Sequence, residues 1–124
     1  MKGDAVVKSD IPARTFEFAR RVVVLCPVLD ASPGVSRTLA GQLLHSGTSI
    51  GANVKEAQAS QSEADFISKY SIACKEARET HYWLRLLVAT EILPEIRLND
   101  LEAECSELIA ILSAIIKKMR SRSR

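Results

Sequence analysis

A chain of 124 residues, 47% apolar and 26% charged, is about one globular domain and is not a disordered chain. Only 5% of it is aromatic, and four prolines and five glycines are few, which favours helices over a sandwich of many short strands. The longest apolar runs, 22–29 and 109–116, fall far short of the ~20 residues that span a bilayer, and the N-terminus carries Asp4 without a long apolar segment. Neither a transmembrane helix nor a signal peptide is expected, and the expected compartment is the cytoplasm.

Four helical patterns follow in chain order. The first spans 14–29, with Thr15 as its expected cap and Val22, Val23, Cys26 and Leu29 at helical spacing. Pro27 lies inside it and should kink or end the helix, because proline lacks an N–H and crowds the carbonyl four residues back. "DASPG" then makes a turn. The second helix spans 35–59 with the stripe Leu39, Leu43, Ile50, Val54 and Ala57. Ser62 and Asp65 form a capping pair for a third helix over 62–91. Its stripe is Phe66, Tyr70, Ala73, Ala77, Leu84 and Leu87, and a second line runs through Ile67, Cys74, His81 and Val88. "ILPEIRLND" breaks the pattern at Pro94, and Asn99 with Glu102 should cap a fourth helix over 99–119. Leu101, Cys105, Leu108, Leu112, Ile115 and Met119 form its stripe, widened by Ile109, Ile111 and Ile116. Short connections make each helix antiparallel to its sequence neighbour, an up-down-up-down four-helix bundle. The domain layout expected is a flexible segment 1–13, a bundle 14–119 and a basic tail 120–124.

"SGTSIGANVKEA", residues 46–57, looks at first like a phosphate loop. Such a loop needs glycines where a strand turns into a helix. Here Gly47 and Gly51 stand four apart inside a helical stripe, with no strand before them and no Gly-Lys-Ser/Thr. Each glycine costs a helix about 1 kcal/mol relative to alanine. Close approach of another helix to a smooth patch explains that cost, whether from the same chain or another. Gly47, Gly51, Asn53, Glu56 and Trp83 are therefore the candidate packing and interface residues.

The segment "QLLHSGTSIGANVKEAQASQSEADFISKYSIACKEARETHYWLRLL" resembles the signature of four-helix-bundle proteins encoded in bacterial 23S ribosomal RNA intervening sequences. "FEFARRVVVL" and "ELIAILSAIIK" fit the first and fourth helices of that family. The resemblance covers 15–118. It implies a homopentamer, and a more distant similarity to the nucleic-acid-binding accessory bundle of diversity-generating retroelements. His45 stands where the family often has arginine, and the basic C-terminal end is not part of the family pattern. No family catalytic residue carries over.

Other constellations are weak. Glu56, Glu76 and Glu79 lack the Glu-x-x-His pairs of a di-metal bundle, so an ion-pair network with Lys75 and Arg78 is expected instead, joined by Ser46, Ser49 and Asn53. His81 has no serine or cysteine beside it in a known nucleophile motif. Cys26, Cys74 and Cys105 read as buried free thiols. Tyr82 and Trp83 could stack on bases, and more often such rings anchor a bundle or subunit interface. The last eight residues hold Lys117, Lys118, Arg120, Arg122 and Arg124 and no acid, so a chain of net +2 has a remainder of −3. A flexible tail of this kind suits phosphate contact without sequence readout. The functional expectation is a non-enzymatic homo-oligomer that binds RNA or DNA through these residues, with no metal, cofactor, membrane or small-molecule substrate. The alternative is a scaffold whose ring recruits a partner protein.

Overall fold

Asp10 opens the first helix by accepting the N–H of Ala13 at 3.3 Å, and Pro12 sits in the first turn, where a missing N–H breaks no intrahelical bond. The computed structural model describes residues 10–122. Four helices fill them: α1 (Ile11–Asp30), α2 (Val35–Ala57), α3 (Glu63–Ala89) and α4 (Glu95–Arg122), and among the described residues there is no strand. No described helix is long and apolar enough to cross a membrane.

Three expected boundaries differ. Thr15 does not cap α1; it lies buried one turn in, and its hydroxyl donates to the Ile11 carbonyl at 2.8 Å. Pro27 does not end α1, which continues to Asp30. The carbonyl deprived of its partner belongs to Val23, half of whose surface is open, so solvent can satisfy it. Asn99 does not cap α4. That helix starts directly after Pro94, and Leu98 in its first turns is fully buried, so apolar burial outweighs the capping preference. Ser62 does cap α3, accepting the Asp65 N–H at 3.0 Å.

The turn between α1 and α2 closes on itself. Gly34 adopts φ +90, a backbone conformation that side chains strain, and precedes Val35. Ser36 Oγ and Arg37 Nε donate to the Leu29 and Asp30 carbonyls at 2.8 and 3.0 Å, satisfying the end of α1.

Contacts between consecutive helices run in opposite directions. Along α1 and α2, Thr15 lies by Gly51, Val22 by Gly47 and Cys26 by Ala40. Ser46 accepts a 2.9 Å bond from Thr80 at the α2–α3 seam, inside the core. Cys74 meets Ser113, and Cys105 donates to the Ala77 carbonyl at 3.2 Å, between α3 and α4. The fourth side, α4 against α1, makes much the narrowest contact.

Phe18, Val22, Leu43, Ile50, Val54, Leu84, Leu108 and Leu112 form the middle of a single core. Leu39, Phe66 and Ile115, expected inside, are only partly buried. Ile116 takes the core position instead of Ile115, as a straight helix drifts away from a fixed heptad stripe. The two apolar lines of α3 are both used within the chain. The first faces the core, and Ile67, Cys74 and Val88 of the second also pack on it. Exposed large apolar side chains occur on every helix, Ile96 of α4 and Val35 of α2 among them, and α1 groups four of them, Phe16, Val23, Val24 and Val28, on its outward side, Phe16 at 73% and Val24 at 63% exposure.

Candidate nucleic-acid interface

As far as Arg122, the basic residues near the C-terminus are helical and are not a tail leaving the bundle. Lys117, Lys118, Arg120 and Arg122 ride on the last turns of α4; Arg124 lies outside the described residues. A helix C-terminus carries partial negative charge, which favours cations there. Arg122 also reaches Glu63, 3.7 Å away at the start of α3.

Because α3 and α4 are antiparallel, the end of α4 lies along the first half of α3. Lys117 and Arg120, three residues apart, line one side of a groove, and Lys75 and Arg78, spaced the same way on α3, line the other. Ser71, Ser113 and Ser121 add hydroxyls, and Cys74 and Ile116 complete the lining of a groove of about 670 Å³. Among the described residues no Asp or Glu lines it. Among the described residues none of these four cations has a carboxylate within ion-pair distance, whereas Arg14, Arg20, Arg37, Lys69 and Arg122 all do. Lys118 and Arg122 line a separate, shallower depression with Lys117 and Ser121.

Lys75 and Arg78 were expected to pair with Glu76 and Glu79, and they do not. Glu79 accepts the Trp83 indole N–H at 3.3 Å, while Glu76 is half-buried and its Oε1 has no hydrogen-bond partner among the described residues. Adjacent residues on a helix point about 100° apart, so neighbours in sequence serve different faces. The cation pairing that sequence order hid is between helices, and only the α3–α4 register reveals it.

The remaining candidates scatter. Gly47 and Gly51 face α1: a Cβ on Gly47 would sit 3.0 Å from the Val22 methyls, and one on Gly51 would sit 3.1 Å from the Thr15 carbonyl oxygen. Asn53 is half-buried and donates to the Ser49 carbonyl of its own helix, and Glu56 is exposed. Ser49 donates to the His45 carbonyl, so Asn53, Ser49 and Ser46 form no common network. Trp83 is half-buried, edge-on to Tyr82.

Fold geometry does bring a serine to His81. Ser106 Oγ lies 3.1 Å from His81 Nε2, and Glu102 lies 3.4 Å from the same nitrogen. A nucleophile relay needs the hydroxyl on one ring nitrogen and the carboxylate on the other, so this trio is not a triad. Burial pushes the Cys105 thiol up to about 12 and raises Cys26 as well, which disfavours the reactive thiolate at both. Among the described residues no three His, Cys, Asp or Glu side chains gather as a metal site.

A profile described as "23S rRNA-intervening sequence protein" matches residues 8–114. The chain belongs to that family. A solved structure of a protein of unknown function from the S23 ribosomal protein family of Bacteroides thetaiotaomicron is 42% identical, with a TM-score of 0.80 over 86% of this chain and 98% of that one. No curated protein matches. The family match indicates no enzymatic family, and it ends before Lys117, so half of the basic groove lies beyond it.

Proposed function

We propose that this family member is a non-enzymatic, cytoplasmic homo-oligomer that binds the phosphate backbone of RNA or DNA through the α3–α4 groove. The observation that supports it is a set of four cations, Lys75, Arg78, Lys117 and Arg120, that among the described residues have no carboxylate partner and surround a groove with no acid. Cations left without carboxylates and grouped in a concavity favour a ligand with regularly spaced negative charge. Backbone contacts of this kind position a nucleic acid without reading its sequence.

Binding is then weakly sequence-specific and falls steeply with salt. Four phosphate contacts give a log–log salt slope of about −2.8 on single strands and about −3.6 on a duplex. Replacing all four cations with glutamine should flatten that slope and leave the helical content intact, since all four are surface residues. A slope unchanged in that variant overturns the proposal.

The exposed α1 face carries the assembly side of the reading. Phe16, Val23, Val24 and Val28 form an apolar surface that a single chain leaves open. The family resemblance suggests a pentamer. The scaffold alternative uses the same face for a partner protein. Light scattering on Phe16→Glu/Val24→Glu separates them: loss of mass relative to the wild type supports self-assembly, and a wild type already monomeric at micromolar concentration refutes it.

A further inference from the structure

The basic groove does not end at Arg78. Arg78 also lines a second depression with His81, Tyr82, Arg85, Leu86 and Ala89, again without an acid among the described residues. Residues 75, 78, 82 and 85 follow one another at steps of three and four, so they share one face of α3 and extend over about 15 Å of its axis. Tyr82 stands between the two arginines and is 59% exposed; Phe16, the other strongly exposed ring, is on α1, away from these cations. It is held from behind: its ring meets Trp83 edge-on with centroids 5.2 Å apart, and Trp83 is itself tied to Glu79.

Among the described residues Arg78 and Arg85 have no carboxylate within ion-pair distance, and an exposed ring between two such cations suits a single-stranded nucleic acid. Cations follow the phosphates, and a base freed from pairing lies on the ring. A duplex offers no base face to such a ring, because its bases are stacked on one another. The four-cation groove has no aromatic residue of its own, so it distinguishes neither form. We propose that Tyr82 is a base-stacking platform that makes the α3–α4 surface prefer single-stranded over double-stranded nucleic acid, with Arg78 and Arg85 holding the flanking phosphates. This rests on the groove binding phosphates at all.

The test uses the full chain, a fluorescent oligo-dT and a DNA duplex of equal length. The wild type should bind oligo-dT more tightly, and the fluorescence of Trp83, the only tryptophan, should change as oligo-dT saturates. Tyr82→Ala should lose about 5- to 150-fold on oligo-dT, keep its duplex affinity, and keep its salt slope, because no charge is removed. Tyr82→Phe should bind like the wild type, and Tyr82→Leu, which keeps bulk and helix propensity, should behave like Tyr82→Ala. Lys75→Gln/Arg78→Gln should flatten the salt slope on both probes. If that charge variant weakens binding while Tyr82→Leu matches the wild type on oligo-dT, the stacking platform is refuted and the groove stands. Equal losses on both probes for Tyr82→Leu also refute it, since the ring then acts only through the fold. A charge variant with an unchanged slope overturns the groove and this inference together.

Discussion

Helix α1 has two neighbours and is held by them in different ways. Against α2 it is held by shape. Gly47 and Gly51 remove two side chains, and Val22 and the Thr15 backbone occupy the space. Against α4 it is held by charge across a narrow contact. Arg14 gives Glu104 two bonds, at 3.0 and 2.8 Å, and Glu107 one at 2.6 Å. The Glu104 hydrogen bond is the main cause that raises the Arg14 pKa above its ordinary value, so Arg14 stays charged through the working pH range. A close-packed seam gives van der Waals contact and excludes water, and it does not respond to salt. A charged seam tolerates a looser fit and is weakened by ions.

Substitutions can break the first seam without touching the second. Gly51→Leu should have the largest effect, about 3 kcal/mol or more, because the added side chain meets backbone at Thr15 that has nowhere to move. Denaturant midpoints would measure it, and a midpoint equal to wild type would refute the close-packing account. Arg14→Met should cost about 1–3 kcal/mol by stranding Glu104, which is three-quarters buried; Glu107 is mostly exposed and contributes little. The loss should shrink in 1 M salt for Arg14→Met and stay constant for Gly51→Leu.

Alkali offers a third comparison. Burial raises the folded Cys105 thiol from 9.0 to about 12, so the unfolded chain ionises first. The stability this group contributes is complete below pH 9 and is lost between pH 9 and 12, by about 1.4 kcal/mol per pH unit. Cys105→Ala should lack that component, and the stability gap between the two proteins should narrow from pH 8 to pH 10.5. The smallest effect is expected at a third glycine of α2. Gly41 is exposed within α2 and has open space where a Cβ would go. Gly41→Ala should stabilise by about 0.5–1 kcal/mol through backbone entropy alone. A gain at Gly41 beside a loss at Gly51 separates packing from helix propensity; equal effects at both would deny the distinction.

Residue order alone specifies the number of helices, the limits of α2 and α3 to within two residues, the Ser62 cap and most of the core. Those features depend on helical periodicity and local hydrogen bonding, which neighbouring residues specify. Glycines inside a helical stripe were legible as a close approach, since their cost needs a compensating contact. Packing between helices decided which helix makes that contact, and it extended α4 beyond the Asn99 cap, because burial of Leu98 outweighs a capping bond; α1 starts earlier than Thr15 because Asp10 supplies the cap. Packing also decided the candidate site. Lys117 and Arg120 were visible as part of a basic cluster, but their partners Lys75 and Arg78 looked committed to adjacent glutamates. Side chains next to each other in sequence diverge around a helix axis, while residues some forty positions apart meet across an antiparallel seam. Arg14 with Glu104 and Ser106 with His81 were hidden for the same reason: periodicity says which face a residue occupies, and only packing says what lies opposite.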